Sequence, residues 1–213
     1  KGAWNMTAVL SRSIYVGLVL ILWMPLIISP HTWFPFVVGK ALFARTVIEI
    51  TVALWFILLI VNPTYRPPRS WVLLAFGVYV IVSFLSAFFG VNLTHSLWSD
   101  FQRMMGVWDL IHWFLLALVA ASFLRSPRAW RTLLNWNLVV ALVLSTIALT
   151  QIFGFPELGY INYTGRVDST LGNPAYLAVI LALSVLVAAG FLASSFLTVD
   201  SGETTSSPRD SSY

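Results

Sequence analysis

Cysteine is absent from the 213 residues, and Asp, Glu, Lys and Arg together make up only 9% of them. The first absence excludes disulfides, thiolate metal sites and cysteine nucleophiles. The second excludes a water-soluble domain, which carries about 25% charged residues. Hydrophobic residues reach 59% and the mean hydropathy is +0.86, so the bilayer is the solvent for most of the chain. Histidine occurs three times, scattered at 31, 95 and 112, which leaves no metal-ligand spacing to read. No metal site and no cofactor are expected. The isoelectric point near 9.7 does not imply nucleic acid, because Lys and Arg form no single stripe.

What is present is a series of apolar runs. A spanning helix needs about 20 mostly apolar residues, and six runs qualify: 13–29, 41–61, 71–89, 106–124, 133–153 and 175–197. The expected fold is therefore all-α, a polytopic helical bundle over residues 1–198. A Ser/Thr-rich stretch, 199–213, has no apolar period and reads as a disordered polar tail. No cleavage pattern precedes the first run, which is expected to remain a helix. Trp33, Trp71, Trp98, Trp108, Trp113, Trp130 and Trp136 cluster near run ends, as an interfacial aromatic belt would.

Basic residues then set an orientation. Lys1, Arg12, Arg66, Arg69, Arg125, Arg128, Arg131 and Arg209 fall on one side of a six-span arrangement; Lys40, Arg45, Arg103 and Arg166 fall on the other. The positive-inside rule places the larger group, and both termini, in the cytoplasm. Loops near 30–40, 90–105 and 154–174 are then expected to face outward.

Two outward loops hold candidate chemistry. In Gly172-Asn173-Pro174, proline suits the first helical position, asparagine the N-cap and glycine the turn before it. A helix starting there turns its positive end outward. Arg166, Ser169 and Thr170 lie just upstream as candidate donors to an anion. Ser99-Asp100-Phe101-Gln102 fits a capping box, which would put Arg103 in the first turn of the fourth span. A cation is disfavoured there and invites an anionic partner. Each arginine equally suits a local ion pair with Asp168 or Asp100, or a lipid phosphate. Arg45 and Glu49 share a helix face at i, i+4, and Asp109 and His112 lie at i, i+3, so each couple can pair within its own helix. His95 in the outer loop is an accessory candidate as a base.

Three segments resemble the N-terminal half of the O-antigen ligase and O-antigen polymerase superfamily of bacterial membrane glycosyltransferases. They are Phe34-Pro35-Phe36-Val37-Val38-Gly39-Lys40 leading into Arg45 and Glu49, Ser96-x-Trp98-x-x-x-x-Arg103-Met104-x-Gly106, and Arg166-x-x-Ser169-Thr170-Leu171-Gly172-Asn173-Pro174-Ala175-Tyr176-Leu177-Ala178. The resemblance implies an inverting, metal-independent transferase that moves a glycan from undecaprenyl pyrophosphate to an acceptor hydroxyl. The acceptor would be a lipid A core sugar, a growing glycan or a protein, on the outer side of the inner membrane. It also implies that Arg103 and Arg166 hold the pyrophosphate. Members of the superfamily have ten or more spans and a catalytic histidine in a later outer loop, a position that neither His95 nor His112 matches. The chain is thus expected to bind donor without turning it over alone. A transporter or flippase for an anionic, lipid-linked substrate, and a non-catalytic scaffold, are the alternatives that composition leaves open.

Overall fold

The structure is a computed structural model that describes residues 2–100, 103–153 and 166–203, with side chains described from 6 to 196 within those ranges. Among the described residues it is 78% helical with no strand. Among the described residues seven α-helices follow in order: α1 (Gly2–Trp23), α2 (Val38–Val61), α3 (Trp71–Phe88), α4 (Leu93–Trp98), α5 (Val107–Phe123), α6 (Pro127–Ile152) and α7 (Pro174–Glu203). Five of them are long and apolar enough to cross a membrane, and α5 is a shorter apolar helix of 17 residues.

The chain divides into two compact units, residues 1–136 with 170–172, and residues 137–169 with 173–213. In the first, α1 packs on α2, α2 on α5, and α3 on α5. Its core is built from Ile14, Leu18 and Ile21 on α1, Ile48, Val52, Trp55 and Leu58 on α2, and Val119 on α5. These sets recur at three- and four-residue steps, so each helix gives the core one stripe. Gly17 lets α1 approach α2 closely, because a β-carbon there would collide with the Thr51 hydroxyl. On the other side, Phe76 meets Phe114 edge-on at 5.3 Å. Large apolar side chains such as Trp71, Val72, Tyr79 and Phe88 remain exposed on α3, the surface a lipid-facing helix requires. The second unit pairs the later part of α6 with α7, where Asn137 Nδ2 donates to Ser184 Oγ at 3.2 Å.

Helix ends follow local chemistry. Pro25 ends α1, and its helix begins at Gly2 and stops at Trp23, so the expected 13–29 run is shifted toward the N-terminus. Asn62-Pro63 stops α2, and Ser70 caps α3 by accepting from Leu73 N. At the far end α7 continues through Glu203, so 199–203 is helical rather than tail; residues 204–213 lie outside the described residues.

The expected capping box is corrected. Ser99 ends α4 with φ +62°, and α5 starts only at Val107, with Gly106 as its N-cap. The cause is steric. The chain folds back so closely at Gly106 that a β-carbon there would strike the Leu97 carbonyl, which fixes the only residue type that can open the helix. Asn92, not Ser99, provides the side-chain cap in this loop, accepting from His95 N at 3.0 Å. Phe101 and Gln102 lie outside the described residues.

Candidate functional site

The end of the first unit that holds the 24–37 loop is built around Lys40, in the first turn of α2. Its side chain is buried, with Nζ donating to the carbonyls of Ile27 at 2.6 Å and Thr170 at 2.8 Å. The Phe36 ring centroid lies 5.8 Å from the same nitrogen. Thr170 Oγ1 donates to the Pro25 carbonyl at 2.7 Å. Gly172 has φ +68°, and a β-carbon there would lie 2.5 Å from the Phe36 ring. Lys40 therefore fastens residues 170–172 onto the 24–37 loop. Its burial is invisible in the sequence, where it reads as an interfacial cation.

One turn further along α2 the guanidinium of Arg45 meets α5. Nε and Nη2 both donate to Asp109 Oδ1 at 3.3 Å, and Nη2 also donates to the Met104 carbonyl. Trp113 Nε1 donates to Asp109 Oδ2 at 2.9 Å, which occupies the second carboxylate oxygen. Next along the seam, Glu49 Oε1 lies 3.0 Å from His112 Nε2. The couples expected within each helix, Arg45 with Glu49 and Asp109 with His112, are thus exchanged for two couples between helices. The reason is the packing of α2 on α5, which sets Arg45 opposite Asp109 and Glu49 opposite His112. A charged group at bilayer depth is most relieved by a partner across the bundle.

The two arginines of the resemblance behave differently from Arg45. Arg103 lies in the turn between α4 and α5, its N–H donating to the Asp100 carbonyl at 3.1 Å. It belongs to the first unit, Arg166 to the second. Both side chains are exposed, and among the described residues neither makes an ion pair. Gly106 gives α5 no side-chain cap. The first bonds at that end run from Asp109 N and Leu110 N to the Gly106 carbonyl, so the amides of Val107 and Trp108 have no partner among the described residues. This is an anion-receptive helix end four residues beyond Arg103.

The α7 end differs. Asn173 Oδ1 accepts from Ala175 N at 2.8 Å, and the Asn173 carbonyl accepts from Tyr176 N and Leu177 N. Pro174 brings no N–H, so the first-turn donors there are satisfied by Asn173 itself. Ser169 and Thr170 are also committed. Both are buried; Ser169 Oγ donates to the Leu144 carbonyl at 2.9 Å and Thr170 Oγ1 to Pro25. Both hydroxyls, candidate anion donors in the sequence, donate to backbone carbonyls within the fold. Gln151 completes the anchor within the second unit. Its Oε1 accepts from Ser169 N at 2.8 Å and Asp168 N at 3.3 Å, while Nε2 donates to Asp168 Oδ1 and the Ser169 carbonyl. His95 is exposed, 3.8 Å from an equally exposed Asp100, too loose for a fixed base. The expected loop residues 154–165 lie outside the described residues.

Apolar spanning helices, lipid-facing surface and a paired polar seam together define a multi-pass α-helical membrane protein. No family model, curated protein or solved structure matches the chain.

Proposed function

We propose that the chain is the donor-binding part of an O-antigen ligase- or polymerase-like glycosyltransferase, which passes a glycan from undecaprenyl pyrophosphate to an acceptor hydroxyl. The acceptor is a glycan, a lipid A core sugar or a protein, at the periplasmic face of a bacterial inner membrane. One observation carries the reading: Arg103 and Arg166 are exposed and free of ion pairs among the described residues, whereas Arg45 is spent on Asp109 and Met104. A membrane protein retains uncompensated cations at its interface where an anion visits.

In this reading Arg103 and the open amides of Val107 and Trp108 bind one part of the pyrophosphate. In the second unit, Arg166 and the Asn173–Pro174 helix end, which adds its dipole rather than free donors, are the proposed contacts for the same class of anion. Charge on the departing pyrophosphate is then stabilised by fixed donors with no metal required. The eight-to-four division of Lys and Arg supports cytoplasmic termini and an outward-facing donor site. The transporter alternative would use Arg45, Glu49, Asp109 and His112 as a gated polar path, and its mark would be an internal repeat or interrupted spans.

A photoreactive undecaprenyl pyrophosphate in nanodiscs tests the reading. Cross-links are expected at 103–108 and 166–176, and competed away by unlabelled pyrophosphate lipid. Labelling confined to lipid-facing α3 residues such as Val78 and Leu85, unaffected by competitor, would overturn it.

A further inference from the structure

The imidazole of His112 stands between two acceptors. Nδ1 lies 2.7 Å from the Trp108 carbonyl oxygen one turn back, and Nε2 lies 3.0 Å from Glu49 Oε1. A carbonyl has no proton to give, so Nδ1 must donate to it. In the neutral ring that assignment leaves Nε2 a bare lone pair. A lone pair does not sit at hydrogen-bond distance from an ionised carboxylate, because both groups only accept.

The surroundings provide no other remedy. Glu49 is the twelfth residue of the 24-residue α2, about 16 Å from its start at 1.5 Å per residue. That is the middle of an apolar helix, where a lone carboxylate is costly. Arg45 lies one turn away but is engaged by Asp109 and the Met104 carbonyl. On α5 the nearest acid, Asp109, already accepts from Arg45 and Trp113. The α1 helix brings only Arg12 among its described side chains, far along the bundle, and α3 carries no charged residue. Arg45 and Asp109 cancel each other, and among the described residues Glu49 has no Lys or Arg partner.

We propose that Glu49 and His112 form a proton-binding site within the membrane-spanning part, one proton being held between Glu49 Oε1 and His112 Nε2. The proton resides on the ring, as imidazolium against carboxylate, or on the acid, as a carboxylic acid donating to Nε2; either form satisfies both contacts. Removing it sets a carboxylate against a lone pair and breaks one of the two polar ties between α2 and α5. The other tie, Arg45 to Asp109, needs no titrating proton. Glu49 keeps two-thirds of its side chain exposed while His112 keeps 13%. The site is independent of the glycan-donor reading.

Two spectra on the full chain in lipid test it at neutral pH. The 15N signals of His112, identified by subtracting the His112→Gln spectrum, report the ring; the infrared carboxyl region, with Glu49→Gln subtracted, reports the acid. A doubly protonated ring with ionised Glu49 is expected, or a neutral ring with protonated Glu49. A neutral ring beside an ionised Glu49 would overturn the proposal. Glu49→Gln provides a second readout, since its amide N–H can donate to Nε2 without a titrating proton. That variant is expected to fold and to carry a neutral His112 ring, with Nδ1 protonated and Nε2 accepting from the amide. A doubly protonated His112 ring in Glu49→Gln would also overturn it.

Discussion

Replacing Asp109 by alanine separates a buried charge from its only acidic partner among the described residues. The Arg45 side chain is 10% exposed and that of Asp109 19%, and two guanidinium bonds plus the Trp113 N–H end on the same carboxylate. Breaking a buried pair from one side costs about 3–5 kcal/mol. Trp113 Nε1 loses its acceptor as well, within that range. Removing both charges is less harmful, because no unpaired ion remains. In Arg45→Met/Asp109→Leu the Met104 carbonyl and Trp113 N–H lose their partners, at about 1–3 kcal/mol for each buried orphan, partly offset by the loss of the desolvation penalty. The double variant is therefore expected to be more stable than Asp109→Ala by about 1–2 kcal/mol. Reversible denaturant titration in detergent micelles, followed by tryptophan fluorescence, measures both. An Asp109→Ala loss below about 1 kcal/mol, or a double variant less stable than the single, would refute the seam as a buried ion pair.

Three further substitutions probe the anchors. Gly172→Ala is expected to cost at least about 1–2 kcal/mol from its positive φ alone; adding Phe36→Ala relieves the ring contact but not the backbone part, and thermal unfolding of the pair separates the two. Gly106→Ala puts a β-carbon on the Leu97 carbonyl and should lower the melting temperature, with an overpacking cost of about 1–3 kcal/mol; an unchanged melting temperature would contradict the Gly106 account. Gln151→Leu strands the Asp168 and Ser169 amides at about 1–3 kcal/mol each, so hydrogen exchange at those two amides should accelerate while α1–α5 amides stay protected.

The bundle was legible because membrane helices announce themselves one at a time, as long apolar runs ended by Asn62-Pro63 or opened by Asn173-Pro174. The capping of α7 was legible for the same local reason. What failed was whatever depends on another segment. The start of α5 is set by Gly106 crossing Leu97, not by the Ser99–Gln102 pattern beside it. The i, i+4 spacing of Arg45 and Glu49 is real, yet their partners lie on α5, and no spacing within α2 reveals that. Lys40 reads as a surface cation until residues 170–172, far along the chain, supply its carbonyl. For Ser169 and Thr170 the sequence shows a hydroxyl but not the backbone oxygen it donates to.

The central claim is that Arg103 and Arg166 bind a lipid-linked pyrophosphate. Its most direct measurement is the affinity of an undecaprenyl-pyrophosphate glycan for the chain in nanodiscs, beside Arg103→Ala/Arg166→Ala. With about 1.5–3 kcal/mol for each charged hydrogen bond lost, the double variant should bind at least about 100-fold more weakly. Equal affinity in the two proteins, or no binding in either, would make the arginines interfacial anchors and contradict the account.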